Sequence, residues 1–177
     1  FAEWKRKYGY PLILSINISA IQYKREDFVN QILGILNKYG ISPGEIELEI
    51  TESVLIDDLS EVKDKLHLLQ EYGIRVSLDD FGTGFSSLAY LKGLPIDTLK
   101  IDKSFIDSVV EDDSSRIITE SMISMVGKLG FETVAEGVEN QEQYDYLKNI
   151  GCDVIQGYLL GHPMPAEGIE ELLIHLL

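Results

Sequence analysis

Short apolar, β-rich runs alternate with amphipathic helical stretches along the chain. The strand candidates are LILSINIS (12–19), EIELEI (45–50), IRVSLD (74–79), DTLKID (97–102), ETVAEGV (132–138) and DVIQGYLL (153–160). Helical periodicity lies near 26–39, 58–72, 84–92, 113–129, 140–149 and 166–176. Gly40, Gly73, Gly130 and Gly151 fall just past helix ends, where a left-handed C-cap wants glycine. Strand–helix–strand alternation predicts parallel βα units. The strands read as apolar on most positions, as in a sheet covered on both faces or closed into a barrel.

The C-terminal end of every candidate strand carries a polar or charged residue. In order these are Asn17, Glu49, the pair Asp79 and Asp80, the pair Lys100 and Asp102, Glu136, and Gln156. Parallel α/β folds build their active sites at that end. Asn17 and Gln156 are 139 residues apart over five intervals, about 28 per βα unit. Eight such units need about 220 residues, near the roughly 250 of a closed (β/α)8 barrel. Six units are visible. The stretch AEWKRKYGYP reads as the end of a helix entering a strand, so about two further units are expected before Phe1. An open, doubly wound sheet of six strands also fits the pattern.

At 177 residues the chain is expected to be a single domain with a sizeable core. Its 45% hydrophobic and 25% charged residues suit a soluble globular protein. The net charge of −15 argues against non-specific attraction to a nucleic-acid polymer or an anionic membrane. The single cysteine, Cys152, excludes an intrachain disulfide and reads as a core residue. No apolar run approaches a membrane span, and PLILSINI is too short for one.

Asn17, Glu49, Asp79, Asp80 and Glu136 are hard oxygen donors, with no Cys or His cluster to suggest a structural zinc. Such donors suit Mg²⁺, Mn²⁺ or Ca²⁺. Four carboxylates at one barrel mouth repel unless cations lie between them. Two divalent ions about 3.5–4 Å apart would relieve that repulsion and form a phosphodiester-hydrolysing site able to receive a polyanion. Lys100 is the one cation of the set, placed to orient water or stabilise phosphoryl charge. Plainer readings exist for each residue. Glu49 and Glu52 could cap a helix, and Asp80 could form an Asx-turn into the glycines. Lys100 and Asp102 could be a surface pair, while Asn17 and Gln156 could satisfy backbone groups. The FGTGFSS stretch matches GxGxxG only in part, because Ser87 stands at the third glycine.

SINISA, ELEITES, LDDFGTGFSSL, LKIDKSFI, VAEGVE and IQGYLLGHPMP, in this order, resemble the EAL domain of bacterial cyclic-di-GMP phosphodiesterases over 12–165. The resemblance implies a modified TIM (β/α)8-type barrel that hydrolyses cyclic di-GMP to linear pGpG with two Mg²⁺ or Mn²⁺ ions. It implies Asn17, Glu49 and Asp79 as ligands of one ion and Asp79, Asp80 and Glu136 as ligands of the second. Lys100 would help position the hydrolytic water. Glu52 would anchor the loop after Asp80, comprising Phe81, Gly82, Thr83 and Gly84. Gln156, Glu139 and Asp102 would support the site. The Glu-Ala-Leu signature that names the family does not precede Asn17. The chain is therefore expected to be the C-terminal three quarters of an EAL domain, N-terminally truncated. The alternative is a catalytically inactive EAL-like module that binds cyclic di-GMP or a partner protein. The resemblance also implies a bacterial cytoplasmic setting, within a larger or membrane-anchored protein or alone. Homodimers and a GGDEF or sensory domain are common in the family.

Overall fold

The computed structural model describes residues 1–56, 59–82 and 91–175. Helix α1 (Ala2–Tyr8) leads into strand β1 (Leu14–Ile18), then α2 (Ala20–Tyr23) and α3 (Phe28–Tyr39). Strand β2 (Ile46–Thr51), a 3₁₀ turn (Glu52–Ile56), α4 (Leu59–Glu71) and β3 (Arg75–Phe81) follow. Next come β4 (Thr98–Ile101), α5 (Lys103–Ile106), α6 (Asp113–Leu129) and β5 (Glu132–Ala135). The chain closes with α7 (Gln141–Asn149), β6 (Val154–Ile155) and α8 (Ala166–His175). The helical stretch expected at 84–92 lies almost wholly outside the described residues.

The strands form one parallel sheet in the order β1-β2-β3-β4-β5-β6. A doubly wound sheet reverses its strand order at a switch point, and this one does not, so the open-sheet alternative falls. The sheet also curls. Thr98 on β4 donates to Glu47 on β2 at 2.7 Å although β3 lies between them. Strands two apart in a flat sheet sit about 10 Å from each other, so these short side chains meet only across a concave face. The architecture is a half-barrel with helices on its outer side, and β1 and β6 are the sheet's edges.

Side-chain alternation in β2–β4 corrects the expectation of strands apolar on most positions. Leu48, Ile50, Val76, Leu78, Leu99 and Ile101 are buried with helix residues such as Leu66, Leu69, Ile123 and Val126. The intervening Glu47, Glu49, Arg75, Ser77, Asp79, Thr98 and Lys100 line the concave side, because successive strand side chains point to opposite faces. Outward apolar residues hold the helices, and the bore is polar.

Two strand ends differ from expectation. β5 stops at Ala135, leaving Glu136–Val138 in a loop, and β6 is only Val154–Ile155 instead of 153–160. The reason is Gly157. A Cβ there would lie 2.2 Å from the Val138 carbonyl oxygen and 2.3 Å from its nitrogen. Val138 N–H donates to the Gln156 carbonyl at 3.1 Å, and Leu159 N–H donates to the Val138 carbonyl at 3.0 Å. The two segments leave the sheet together and pack backbone to backbone. The four glycines expected past helix ends all have positive φ.

Candidate active site

Two acidic neighbours in a regular strand point to opposite faces, and β3 resolves this with a bulge. Leu78 pairs with Leu99 and Phe81 with Ile101, so β3 uses one more residue than β4 over the same stretch. Asp80 takes the left-handed conformation, φ 57°, as no other non-glycine among the described residues does. Its N–H donates to Asp79 Oδ1 at 3.1 Å. The strand runs through to Phe81 rather than ending at Asp79, with the bulge at Asp80 inside it. As a result Asp79, Asp80 and Glu136 each offer an oxygen within 4.8 Å of the others.

Lys100 rises from β4 into the same space. Its Nζ lies 2.8 Å from Glu49 Oε2, 3.0 Å from Asp79 Oδ1 and 2.7 Å from Glu136 Oε1. An ammonium has three donors, and three carboxylates surround it. Lys100 is 4% exposed and Glu49 7%, so neither is a surface pair member or a helix cap. Burial pulls the Lys100 pKa down, but hydrogen bonds to Glu136 and Glu49 overcome it, and the net displacement is upward. Glu136 sits above the ordinary carboxylate range, first because it is buried; Lys100 opposes that, while Asp79 and Glu49 add to it. Asp80 is raised by burial and then by repulsion from Asp79 and Asp102. Four carboxylates thus face one ammonium. Each carboxylate retains lone pairs beyond those Lys100 uses. Hard oxygen donors with excess negative charge fit a divalent cation.

The remaining candidates take more varied places. Glu52 Oε1 accepts from Gly82 N–H at 3.1 Å, so the segment after Asp80 is tied to the 3₁₀ turn after β2. Phe81 is buried, and Thr83 and Gly84 lie outside the described residues. Asn17 pairs in register with Glu49 on edge strand β1 and is exposed. Asp102 caps α5, accepting from Ser104 N–H at 3.0 Å. Glu139, exposed, forms an ion pair with Lys103 on α5. Gln156 is exposed and engages through its backbone, its N–H donating to Ala135 O at 2.9 Å.

Beneath the cluster lies a second polar layer that sequence reasoning missed. Arg75 donates to Thr98 at 3.0 Å and bonds Glu132, and Glu47 lies 3.5 Å from Arg75 Nε. The signal was present: Glu47, Arg75 and Thr98 stand two residues before Glu49, Ser77 and Lys100, on the same strand faces.

A curled parallel sheet with a carboxylate–lysine cluster at the strands' C-terminal ends is the arrangement of a TIM-barrel-type enzyme site. The family model of the EAL domain matches residues 1–163, and the chain belongs to the EAL domain family. It is 47% identical over 171 residues to the signaling protein YkoW of Bacillus subtilis, covering 97% of this chain and 21% of YkoW. It is 37% identical over 172 residues to the cyclic di-GMP phosphodiesterase PA2567 of Pseudomonas aeruginosa, covering 97% of this chain and 29% of that protein. The chain thus spans between a fifth and a third of these relatives. Among solved structures, the PaMucR phosphodiesterase–c-di-GMP complex superposes with a TM-score of 0.89 at 36% identity, covering 95% of this chain and 68% of that one. The manganese/cy-diGMP complex of Klebsiella pneumoniae BlrP1 superposes with a TM-score of 0.80 at 28% identity, covering 89% of this chain and 41% of that one.

Proposed function

We propose that the chain is the catalytic part of a cyclic-di-GMP phosphodiesterase, hydrolysing one phosphodiester bond of the cyclic dinucleotide to give linear pGpG. The observation that carries the reading is the convergence of Glu49, Asp79 and Glu136 on Lys100, with Asp80 brought alongside by the β3 bulge. The names of PA2567 and of the PaMucR complex support the substrate, and the manganese in the BlrP1 complex supports the cofactor class.

In this reading Asp79, Asp80 and Glu136 hold one Mg²⁺ or Mn²⁺, and Asn17, Glu49 and Asp79 hold a second. Bound there, divalent ions supply charge neutralisation and an activated water. Lys100 donates hydrogen bonds, orienting the attacking water or stabilising a phosphoryl oxygen. The carboxylates keep Lys100 extended into the bore. Glu52 holds the segment that carries Asp80. Water oxygen bonds to phosphorus and the P–O3′ bond breaks. One proton of that water ends on the 3′ oxygen, which leaves as a hydroxyl, the other is left with the new terminal phosphate, and the second phosphodiester stays intact.

A non-catalytic module that binds cyclic di-GMP or a partner protein is the second reading. Incubating the chain with cyclic di-GMP and Mg²⁺ or Mn²⁺, and following pGpG by chromatography, separates the two. Metal-dependent pGpG that vanishes in Glu49→Ala and Asp79→Ala supports the first. Binding without turnover supports the second.

A further inference from the structure

Glu136 leaves β5 at the first residue of a loop, so something must fix that loop if the carboxylate is to stay on Lys100. One end is held by the sheet, with Glu136 N–H donating to the Ile101 carbonyl at 3.0 Å. The other end converges on a single side chain, Gln143 of α7. Its Oε1 accepts from Glu139 N–H at 2.8 Å and from Asn140 N–H at 3.2 Å. Its Nε2 donates to the Ile106 carbonyl at the end of α5 at 3.2 Å. Gln143 is 5% exposed, and its primary amide supplies the acceptor and the donor together.

A capping box accounts for part of this. Asn140 Oδ1 accepts from Gln143 N–H at 2.9 Å, and the Gln143 oxygen returns the bond to Asn140 N–H. That motif needs only an oxygen and is equally well made by glutamate. The bond from Glu139 and the donation to Ile106 go beyond it. They close a ring from Lys100 through Ile101 and α5 to Ile106, across Gln143 to Glu139, and back through Glu136 to Ile101. Burial makes breaking the link from Gln143 to Ile106 costly, because the Ile106 carbonyl left behind cannot turn to water.

We propose that Gln143 is a positioning residue, tying the loop that carries Glu136 to the helix that follows Lys100 so that the two groups keep their register. This rests on the reading of Glu136 and Lys100 as parts of the site proposed above.

The test compares the ion-free chain with Gln143→Glu and Gln143→Ala by amide hydrogen exchange, and measures cyclic-di-GMP turnover with Mn²⁺ in parallel. Gln143→Glu keeps the capping oxygen and loses the donor to Ile106. The expected result is exchange at Glu136, Val138 and Glu139 faster by about tenfold or more, with the amides of Leu48 and Val76 unchanged. The expected kcat falls about ten- to hundredfold, the scale of outer-shell partners, with KM within about twofold. Should Gln143→Ala not fold, the glutamate variant decides. Wild-type exchange at Glu136 in Gln143→Glu overturns the proposal, as does unchanged kcat in that variant when the wild-type chain is active. A wild-type chain without turnover defeats the functional reading instead, and exchange then decides the brace alone.

Discussion

Asp80 bears two costs together: a left-handed backbone that disfavours any residue with a Cβ, and a negative charge beside Asp79. Both follow from one extra residue in β3. Lys100 meets the opposite problem, an ammonium buried where only its three carboxylate partners make it tolerable. Replacing it with methionine leaves Glu49, Asp79 and Glu136 without their cation. Lys100→Met is therefore expected to destabilise the ion-free chain by about 3–5 kcal/mol. Mn²⁺ should restore more melting temperature to this variant than to the parent, because the ion replaces the missing charge. Equal Mn²⁺ shifts in paired thermal melts would count against the shared role of these carboxylates. Cys152 supplies a pH dependence away from the cluster. Burial raises its thiol pKa, and bonds to Thr133 and Val154 oppose that only in part. The folded state therefore disfavours the thiolate. The stability this contributes is fully present below the unfolded thiol pKa and is lost as pH rises through the folded value. Cys152→Ala should flatten the alkaline fall in melting temperature, and unchanged alkaline behaviour would contradict the assignment. At this scale the doubled acid and the lone lysine were visible in LDD and LKID. Their geometry was not, since a bulge depends on pairing with β4, which no local pattern encodes.

The helices and most strands follow from local signals. The helix at 113–129 has the expected limits, with Asp112 as its N-cap and Gly130 beyond its end. β2, β3 and β4 lie within about two residues of expectation. The failures share a cause. ETVAEGV and DVIQGYLL look like strands because they are apolar and β-branched, yet after Ala135 and Ile155 both leave the ladder to pack against each other. Gly157 permits that contact, and the sequence shows the glycine but not the backbone it must admit. Gly157→Ala places a methyl group 2.2 Å from the Val138 carbonyl oxygen, and rigid backbone cannot give way as a side chain would. The expected loss is about 2 kcal/mol or more of stability, with a larger fall in turnover than in melting-matched controls because Glu136 lies two residues before Val138. Denaturant unfolding and kcat on the same variant check it.

The chain is a half-barrel whose central strands turn apolar side chains outward, under the helices, and charged side chains inward, in two layers. The inward charge explains part of the net −15 without any polymeric partner. Among the described residues no helix is long and apolar enough to cross a membrane. The barrel class was legible from the repeat of about 28 residues and the strand-end list, because both survive averaging over local errors. The floor around Arg75 was not, since it depends on which strands lie beside and across the curl. The carboxylates gathered on Lys100 are proposed to hold divalent ions for the hydrolysis of cyclic di-GMP. The most direct measurement is the rate of pGpG formation by the chain with Mn²⁺, with excess chelator, and in Asp79→Ala. The expected result is metal-dependent turnover that chelator abolishes and that falls to background in Asp79→Ala. Turnover that persists in Asp79→Ala, or that ignores chelator, would contradict it.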